Sequence, residues 1–301
     1  MDTESPVIAT QAADSANQEQ AQARPDVIVF TDVDGTLIDS HKQVPGDSAK
    51  IIRDIYDSGV PLCPVSARSP HGIDPIWKQL GFHGPLAAFS GAYVIDEEGR
   101  ELYSKTIPLD EAIQVKRFLN SELAGVVVNT FAFDTWATDD KSSPRVQSEE
   151  NTVELQAVQC RDLTEAFDER GIHKFLIMGD PDDLTVAEEQ IRERYGSLSV
   201  ARSNANLLEV MAAGATKEHA IDVLCRHYGM DRAHAIAFGD GRNDIPMLKA
   251  VPTSYAVANA SDEVKRAATF TCAETNAQGA VAHTLQELLC GMGAEEASEE
   301  I

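Results

Sequence analysis

The chain has 301 residues, of which 43% are hydrophobic, and a formal net charge of −24 at pH 7. This charge argues against nucleic acid or an anionic membrane as a partner, and no apolar run approaches the roughly 20 residues of a membrane span. Five scattered cysteines without a CxxC pair favour free thiols in a reducing compartment, so we expect a cytoplasmic protein.

The first predicted element is a strand that ends in two carboxylates. Residues 27–31 form a near-continuous β-branched run, which is typical of a strand buried on both faces of a parallel sheet. Asp32 and Asp34 follow it, and Gly35 permits a tight turn. Two carboxylates this close repel each other unless a cation neutralises them or one of them binds a proton. The pair therefore marks a candidate site, with an ordinary strand end and polar turn as the alternative.

The next segments predict further parts of the same sheet. Apolar residues at helical spacing over residues 51–56 predict a helix on one of its faces. Three β segments then follow along the chain: residues 61–65, which lead into Ser66-Ala67-Arg68, residues 86–92 as a third parallel strand, and a hairpin over residues 93–107 that turns at residues 97–99.

A second α/β unit is predicted between residues 108 and 206. Its patterns indicate helices near residues 110–123, 161–170 and 182–195, and strands at residues 126–128, 131–138, 174–178 and 198–201. Residues 139–152 are polar and include Pro144, which favours a loop. The chain is expected to return to the first sheet near residues 207–210.

A second apolar strand, at residues 235–239, also ends in an acid. If it shares one parallel sheet with the first strand, the side chains that follow both strands meet at one edge. Four carboxylates then converge there: Asp32, Asp34, Asp240 and Asp244. Hard oxygen ligands of this kind suit Mg²⁺, which is usually held by one or two carboxylates with phosphate and water. Ser66 and Lys217 add a hydroxyl and an ammonium that would suit a bound phosphate.

These residues match four motifs of one enzyme family, in the family's order. Motif I corresponds to residues 32–37, motif II to Ser66, motif III to Lys217 and motif IV to residues 239–244. The chain therefore resembles the haloacid dehalogenase superfamily, and specifically the Cof-type phosphatases with a large cap of type C2B. It departs from the usual motifs in having Ser66-Ala67-Arg68 for Thr-Gly-Arg and Lys217-Glu218 for Lys-Gly.

The resemblance implies an α/β fold in which a Rossmann-like, doubly wound parallel sheet forms the core and an α/β cap domain is inserted. The division expected along the chain is a core over residues 25–107 and 207–290, a cap over residues 108–206, a disordered tail over residues 1–24 and an acidic tail over residues 291–301. The first tail lacks the basic start and apolar stretch of a secretory signal.

The resemblance also implies a mechanism. Asp32 would attack phosphorus to form an aspartyl-phosphate, while Asp34 would donate a proton to the leaving oxygen and later accept one from water. Mg²⁺ would be held by the Asp32 carboxylate, the Asp34 backbone carbonyl, Asp240 and Asp244. Phosphate-binding roles would fall to four residues: Ser66, Lys217, Asn243 and Gly35. An acid at position 34 indicates phosphate-ester hydrolysis or phosphomutase chemistry, because relatives that cleave carbon–halogen bonds lack it.

Substrate discrimination is expected from the cap, where Trp136 lies near Asp134 and Asp139, and from Arg68 of the core. A packing role for Trp136 and an ion pair between Arg68 and an acidic neighbour are the alternatives. We predict a Mg²⁺-dependent phosphatase whose partner is a small phosphorylated metabolite, such as a sugar phosphate or a phosphorylated cofactor. A phosphomutase and a non-catalytic phosphate-binding protein are the other hypotheses, and the sequence does not indicate an oligomeric state.

Overall fold

The computed structural model describes residues 27–123 and 125–299, and side chains as far as residue 289. The predicted disordered tail at residues 1–24 lies outside this part of the chain. The parallel sheet of the core has five strands in the spatial order β14 (Phe270–Thr271), β13 (Thr253–Ala256), β12 (Ala235–Gly239), β1 (Ile28–Thr31) and β2 (Leu62–Pro64). Every residue of β1 and β12 is buried, as expected for the central strands of a sheet covered on both faces.

Helices pack around this sheet in two groups. The core helices are α1 (Ser48–Asp57), α2 (Asp74–Leu80), α7 (Lys217–Tyr228), α8 (Ile245–Ala250), α9 (Asp262–Ala267) and α10 (Ala280–Glu299). Helix α1 packs against α2 and α10, whereas α8 packs against α7 and α9. The prediction of an α/β fold with a Rossmann-like parallel core is therefore confirmed. Among the described residues, no helix has both the length and the apolar character needed to cross a bilayer.

A small antiparallel sheet extends the core beyond β2. Its strands are β3 (Leu86–Ala88), β4 (Tyr93–Ile95) and β5 (Glu101–Ser104). A parallel bridge between Val65 and Ala87 places β3 beside the end of β2, so the predicted third parallel strand is short, and the predicted hairpin follows it. Gly91 adopts φ +94°, and a Cβ there would overlap the carbonyl oxygen of Thr216. The turn before β4 therefore packs its backbone directly against the start of α7.

The cap contains a six-stranded sheet in the spatial order β10 (Leu198–Asn204), β11 (Leu207–Ala212), β9 (Lys174–Met178), β6 (Val127–Ala132), β7 (Thr135–Thr138) and β8 (Val158–Gln159). Helices α3 (Leu109–Glu122) and α6 (Pro181–Arg194) share one hydrophobic cluster with Phe175 and Ile177 of β9. Because side chains alternate along a strand, Lys174 and Leu176 point to the opposite face. That face meets the core, where the Lys174 ammonium donates to the carbonyl of Ala67 (2.8 Å).

Three predictions for this region are wrong in detail. Residues 139–152 were expected to form a loop but contain most of α4 (Pro144–Val153), because proline fits the first turn of a helix and Val146 is buried four residues before the buried Glu150. The predicted helix at residues 161–170 is only α5 (Leu163–Ala166).

The third error is the boundary at residue 206. Strand β11 does not rejoin the parallel core, because it pairs with β9 and β10 in the cap sheet. The apolar sequence of β11 is compatible with either the core sheet or the cap sheet, so only its strand pairing shows to which sheet it belongs. We infer that the cap ends after Ala212.

His173 lies at the junction between cap and core, next to a bridge between Ile107 and Ile172. Its ring centroid is 5.0 Å from that of Phe89 in the core and 4.7 Å from that of Phe133 in the cap. The backbone N–H of Phe133 donates to Nδ1, so Nε2 carries the proton of the neutral ring. Burial, and to a smaller extent the charge of Arg170, lowers the pKa of His173 to about 4.

We expect His173 to make the fold sensitive to acid. Between its unfolded pKa of 6.5 and its folded pKa of about 4, the unfolded chain binds a proton that the folded chain does not. The stability present above pH 6.5 is therefore lost as the pH falls towards 4, by at most about 3 kcal/mol. Denaturant unfolding between pH 4 and 7 should show a shallower pH slope for His173→Gln than for wild type. The exposed His41→Gln is the control, and an unchanged slope for His173→Gln would contradict the assignment.

Candidate active site

Three carboxylates converge where β1 and β12 end. The strands are paired in register as far as Thr31 and Phe238, and the N–H of Asp32 donates to the carbonyl of Phe238 (2.9 Å). Oxygen atoms of the three acids all lie within 4.8 Å of one another: Asp32, Asp240 and Asp244. The structure thus brings together three of the four acids that the sequence placed at this edge.

Lys217 lies buried between two of these acids. As the first residue of α7, it donates from Nζ to Asp32 and to Asp244, the latter at 2.6 Å. The other oxygen of Asp244 accepts from the backbone N–H groups of Asp240 (3.0 Å) and Gly241 (2.8 Å). Three carboxylates and one ammonium leave two negative charges uncompensated, which suits a divalent cation with a preference for oxygen ligands.

The same contacts shift the acid–base properties of the cluster. Burial, and then the neighbouring Asp244, raises the pKa of Asp32 to about 8. Although burial opposes it, the charges of Asp244 and Asp32 raise the pKa of Lys217. Burial also raises the pKa of Asp240, against the hydrogen bond that its carboxylate accepts from Thr36 (2.8 Å). A cation at this site would favour the ionised carboxylates that burial disfavours.

Gly35 allows the loop after β1 to pass close to Asp240. Its φ is +88°, and a Cβ at this position would lie 2.6 Å from an oxygen of Asp240. Its carbonyl accepts a hydrogen bond from the side chain of Asn259 (2.8 Å). The requirement for glycine here follows from the close approach, and a direct contact with phosphate remains a prediction.

The side chain of Asp34 lies in a different environment from the three acids. Arg68 donates to both of its oxygens, at 2.7 and 2.8 Å, and Lys42 donates to one of them at 2.7 Å. Although burial would raise it, these hydrogen bonds and charges, first from Arg68, lower the pKa of Asp34 to about 2. Only its backbone could contribute to the acid cluster, which is the role that the resemblance implies.

Two of the predicted phosphate ligands, Ser66 and Asn243, lie on loops of the core. Ser66 is buried at the end of β2, and its hydroxyl accepts a hydrogen bond from the N–H of Arg68 (3.2 Å). Asn243 is exposed in a short turn of 3₁₀ helix that ends at Asp244. Both positions are on the loops that follow core strands, as expected, while their contacts with a phosphate remain predictions.

A cavity of about 290 Å³ separates these core loops from the cap. Six charged side chains line it, three from each side: Asp34, Lys42 and Arg68 from the core, and Glu149, Lys174 and Glu209 from the cap. A cavity of this size next to Asp34 has room for the non-reacting part of a small molecule.

The model for haloacid dehalogenase-like hydrolases matches residues 29–285. The chain belongs to this family. A putative phosphatase of Haemophilus influenzae is 34% identical over 254 residues, which cover 83% of this chain and 94% of that protein. An HMP-PP phosphatase of Serratia proteamaculans is 27% identical over 238 residues, covering 78% of this chain and 84% of that protein. The crystal structure of a haloacid dehalogenase-like hydrolase from Bacteroides thetaiotaomicron matches with a TM-score of 0.78 and 27% identity, covering 87% of this chain and 99% of that chain.

These findings confirm the prediction of a Cof-type phosphatase, a phosphoric monoester hydrolase of the haloacid dehalogenase family. The parallel core and the inserted cap are shared with the solved relative, because the match extends over almost its whole length.

The three cap residues that the sequence predicts for substrate discrimination do not line the cavity that contains Asp34. Trp136 is buried, stacks on Phe131 at 5.1 Å and donates from Nε1 to Asn129 (3.0 Å), so the packing alternative is what the structure shows. Asp139 pairs with Lys116 inside the cap (2.6 Å).

Asp134 also lies away from the cavity that contains Asp34. It pairs with His71 of the core (2.8 Å) at the rim between the two parts. Lys174 and Glu209 line that cavity instead, and both are charged residues within apolar strand sequences. A charge inside an apolar strand was the sequence signal that could have identified them. Arg68 lines the cavity and pairs with Asp34, so the structure shows the ion-pair alternative, while a role in substrate discrimination stays a prediction.

Replacement of Lys217 should strongly destabilise this hydrolase. Lys217→Met would leave Asp32 and Asp244 buried without their cation, and breaking a buried pair in this way typically costs about 3–5 kcal/mol. Denaturant unfolding in EDTA would measure the loss, and Asp244→Asn added to Lys217→Met should recover part of it. The exposed Lys50→Met should change stability by less than about 0.5 kcal/mol. A similar small effect for Lys217→Met would contradict this description of the cluster.

Proposed function

We propose that the chain is a Mg²⁺-dependent phosphatase that hydrolyses small cytosolic phosphomonoesters through an aspartyl-phosphate intermediate. The observation that carries the proposal is the separation of the two acids of motif I. Asp32 lies in the buried acid cluster, whereas the side chain of Asp34 opens into the cavity and is 40% exposed. Two carboxylates in such different environments suit two different roles, a nucleophile and a proton-transfer group.

In the first step, an oxygen of Asp32 attacks phosphorus, and the bond from phosphorus to the leaving oxygen breaks. Asp34 gives its proton to that oxygen, so the products are an alcohol and an acyl phosphate on Asp32. A bound phosphate ester favours the protonated form of Asp34, because its negative charge repels the carboxylate and competes for Arg68 and Lys42. In this proposal, Ser66 and Lys217 would bind the oxygens of the transferring group.

In the second step, water attacks phosphorus and Asp34 accepts its proton. The ion pairs with Arg68 and Lys42 keep Asp34 in the ionised form that this step needs. The carboxylate of Asp32 is released together with inorganic phosphate. In ¹⁸O-labelled water the released phosphate should carry the label, because hydrolysis transfers an oxygen atom from water to phosphorus. A mutase returns its phosphoryl group to the substrate and would release no labelled phosphate.

The donor set of the acid cluster fits Mg²⁺, and Asp32, Asp240 and Asp244 would hold it. When bound, the ion would supply charge neutralisation for the phosphoryl group. We expect EDTA to abolish hydrolysis of p-nitrophenyl phosphate and added Mg²⁺ to restore it, with Ca²⁺ a poor substitute because its coordination is looser. Steady-state rates at a series of free Mg²⁺ concentrations test this. Full turnover in metal-free buffer would refute the metal requirement.

A further inference from the structure

Glu149 of α4 faces the same cavity as the proton-transfer group. It is partly buried and lines the cavity together with Asp34, although it belongs to the cap. It lies at the end of the cavity where α4 meets the strand ends of β10 and β11, because it also lines a neighbouring opening with Asn204 and Leu207. A molecule whose phosphoryl group is bound at Asp32 would extend its leaving group past Asp34 towards this end.

Glu149 differs from the other charged groups of the cavity in its contacts. Asp34 pairs with Arg68 and Lys42, and Lys174 pairs with Glu209 at 3.9 Å while donating to Ala67. The Glu149 carboxylate has neither a hydrogen bond nor an ion pair with any residue in the described part of the chain. Burial raises its pKa even though Lys174, Arg68 and Lys42 lie close enough to lower it.

A partly buried carboxylate without a donor is an incomplete interaction, because its oxygens lose water as the cavity fills and gain nothing in return. The cost disappears when the incoming molecule itself supplies an N–H or O–H group. A leaving group that carries a carboxylate or a second phosphate would instead place like charges together, which is unfavourable. The three cations of the cavity do not offset this fully, since each already has a partner.

We propose that Glu149 is a specificity-determining residue that accepts a hydrogen bond from a hydroxyl or amino group of the leaving group and rejects leaving groups with an anion at their far end. The inference rests on the proposed phosphatase function and assigns its substrate class to neutral, donor-rich alcohols. Glu149 contacts only the leaving group, so the transfer of the phosphoryl group itself does not depend on it.

Three six-carbon phosphate esters test the assignment, because they differ in the groups that would reach Glu149. Sorbitol 6-phosphate offers hydroxyl groups, hexyl phosphate has the same chain length without them, and 6-phosphogluconate ends in a carboxylate. For wild type we expect the highest kcat/KM with sorbitol 6-phosphate. Glu149→Ala should lower that value by roughly 10–100-fold, mainly through KM, as expected for a hydrogen bond to a charged group. Hexyl phosphate should change by less than about twofold, and 6-phosphogluconate should improve.

Glu154→Gln is the matched control, because it neutralises an exposed acid directly after the same helix and should leave all three substrates unchanged. Glu149→Gln keeps an acceptor without the charge, so it should retain part of the preference for sorbitol 6-phosphate over hexyl phosphate. If Glu149→Ala changes all three substrates by one common factor, or none of them, the inference is wrong while wild-type turnover still supports the phosphatase. If wild type with Mg²⁺ hydrolyses neither these esters nor p-nitrophenyl phosphate, the proposed function fails and this inference fails with it.

Discussion

Asp32→Asn should abolish hydrolysis of every phosphomonoester, with a loss of kcat on the order of 10⁶-fold, the scale seen when a covalent nucleophile is removed. An amide oxygen is a poor nucleophile, and the acyl phosphate cannot form on it. Asparagine has nearly the same shape as aspartate, so Lys217 keeps its contact with Asp244 and the fold should persist. Initial rates and acid-quenched labelling with ³²P-substrate together measure turnover and phosphoenzyme.

The control for this variant is Asp54→Asn, which removes an exposed carboxylate of α1 that pairs with Lys50. It should keep wild-type rates and wild-type labelling. Phosphoenzyme that still forms in Asp32→Asn would place the nucleophile elsewhere and would refute the assignment of Asp32.

Asp34→Asn should slow the reaction in a manner that depends on the leaving group. General acid catalysis typically supplies about 10²–10⁴-fold, so alkyl phosphates should lose that factor in kcat/KM. p-Nitrophenyl phosphate should lose much less, because p-nitrophenolate leaves without a proton. The variant also lacks the base for the second step, so the phosphoenzyme should accumulate with this substrate and give a burst of p-nitrophenol.

Values of kcat/KM for a series of phenyl and alkyl phosphates give the dependence of the first step on leaving-group pKa, for wild type and for the variant. A steeper dependence for Asp34→Asn is the expected result. Arg68→Lys is a second variant for this series, because lysine keeps a positive charge near Asp34 but loses the bidentate contact with both of its oxygens. Equal losses on aryl and alkyl esters would contradict proton transfer by Asp34.

The sequence alone predicts the core of the fold and the acid cluster because both depend on local features. The apolar runs at β1 and β12 are long enough to identify buried parallel strands, and such strands carry their chemistry at their carboxyl ends. Asp32 and Asp240 follow those ends directly, so no knowledge of packing is needed to place them together.

The cap residues depend on information that is not local. Lys174, Phe131 and Trp136 are paired across the cap sheet and share the face that meets the core. Lys174 lines the cavity while Trp136 is buried against Phe131, so side-chain packing rather than strand alternation decides between them. Glu149 was missed for a different reason, because residues 139–152 are polar and their sequence predicts a loop where the structure has α4. Lys42 carries no signal in the sequence, although the structure holds it at φ 62° beside Asp34.

The contact between Gly91 and Thr216 restricts which substitutions this chain can accept in evolution. Because backbone meets backbone there, no compensating side-chain substitution elsewhere can make room for a Cβ. At the hairpin tip, by contrast, a Cβ on Gly99 would meet no atom within 4 Å, and only the φ of +76° favours glycine there. Among descendants of this gene, codon 91 should therefore stay fixed, and this invariance would protect the position of the backbone at the start of α7, from which Lys217 projects.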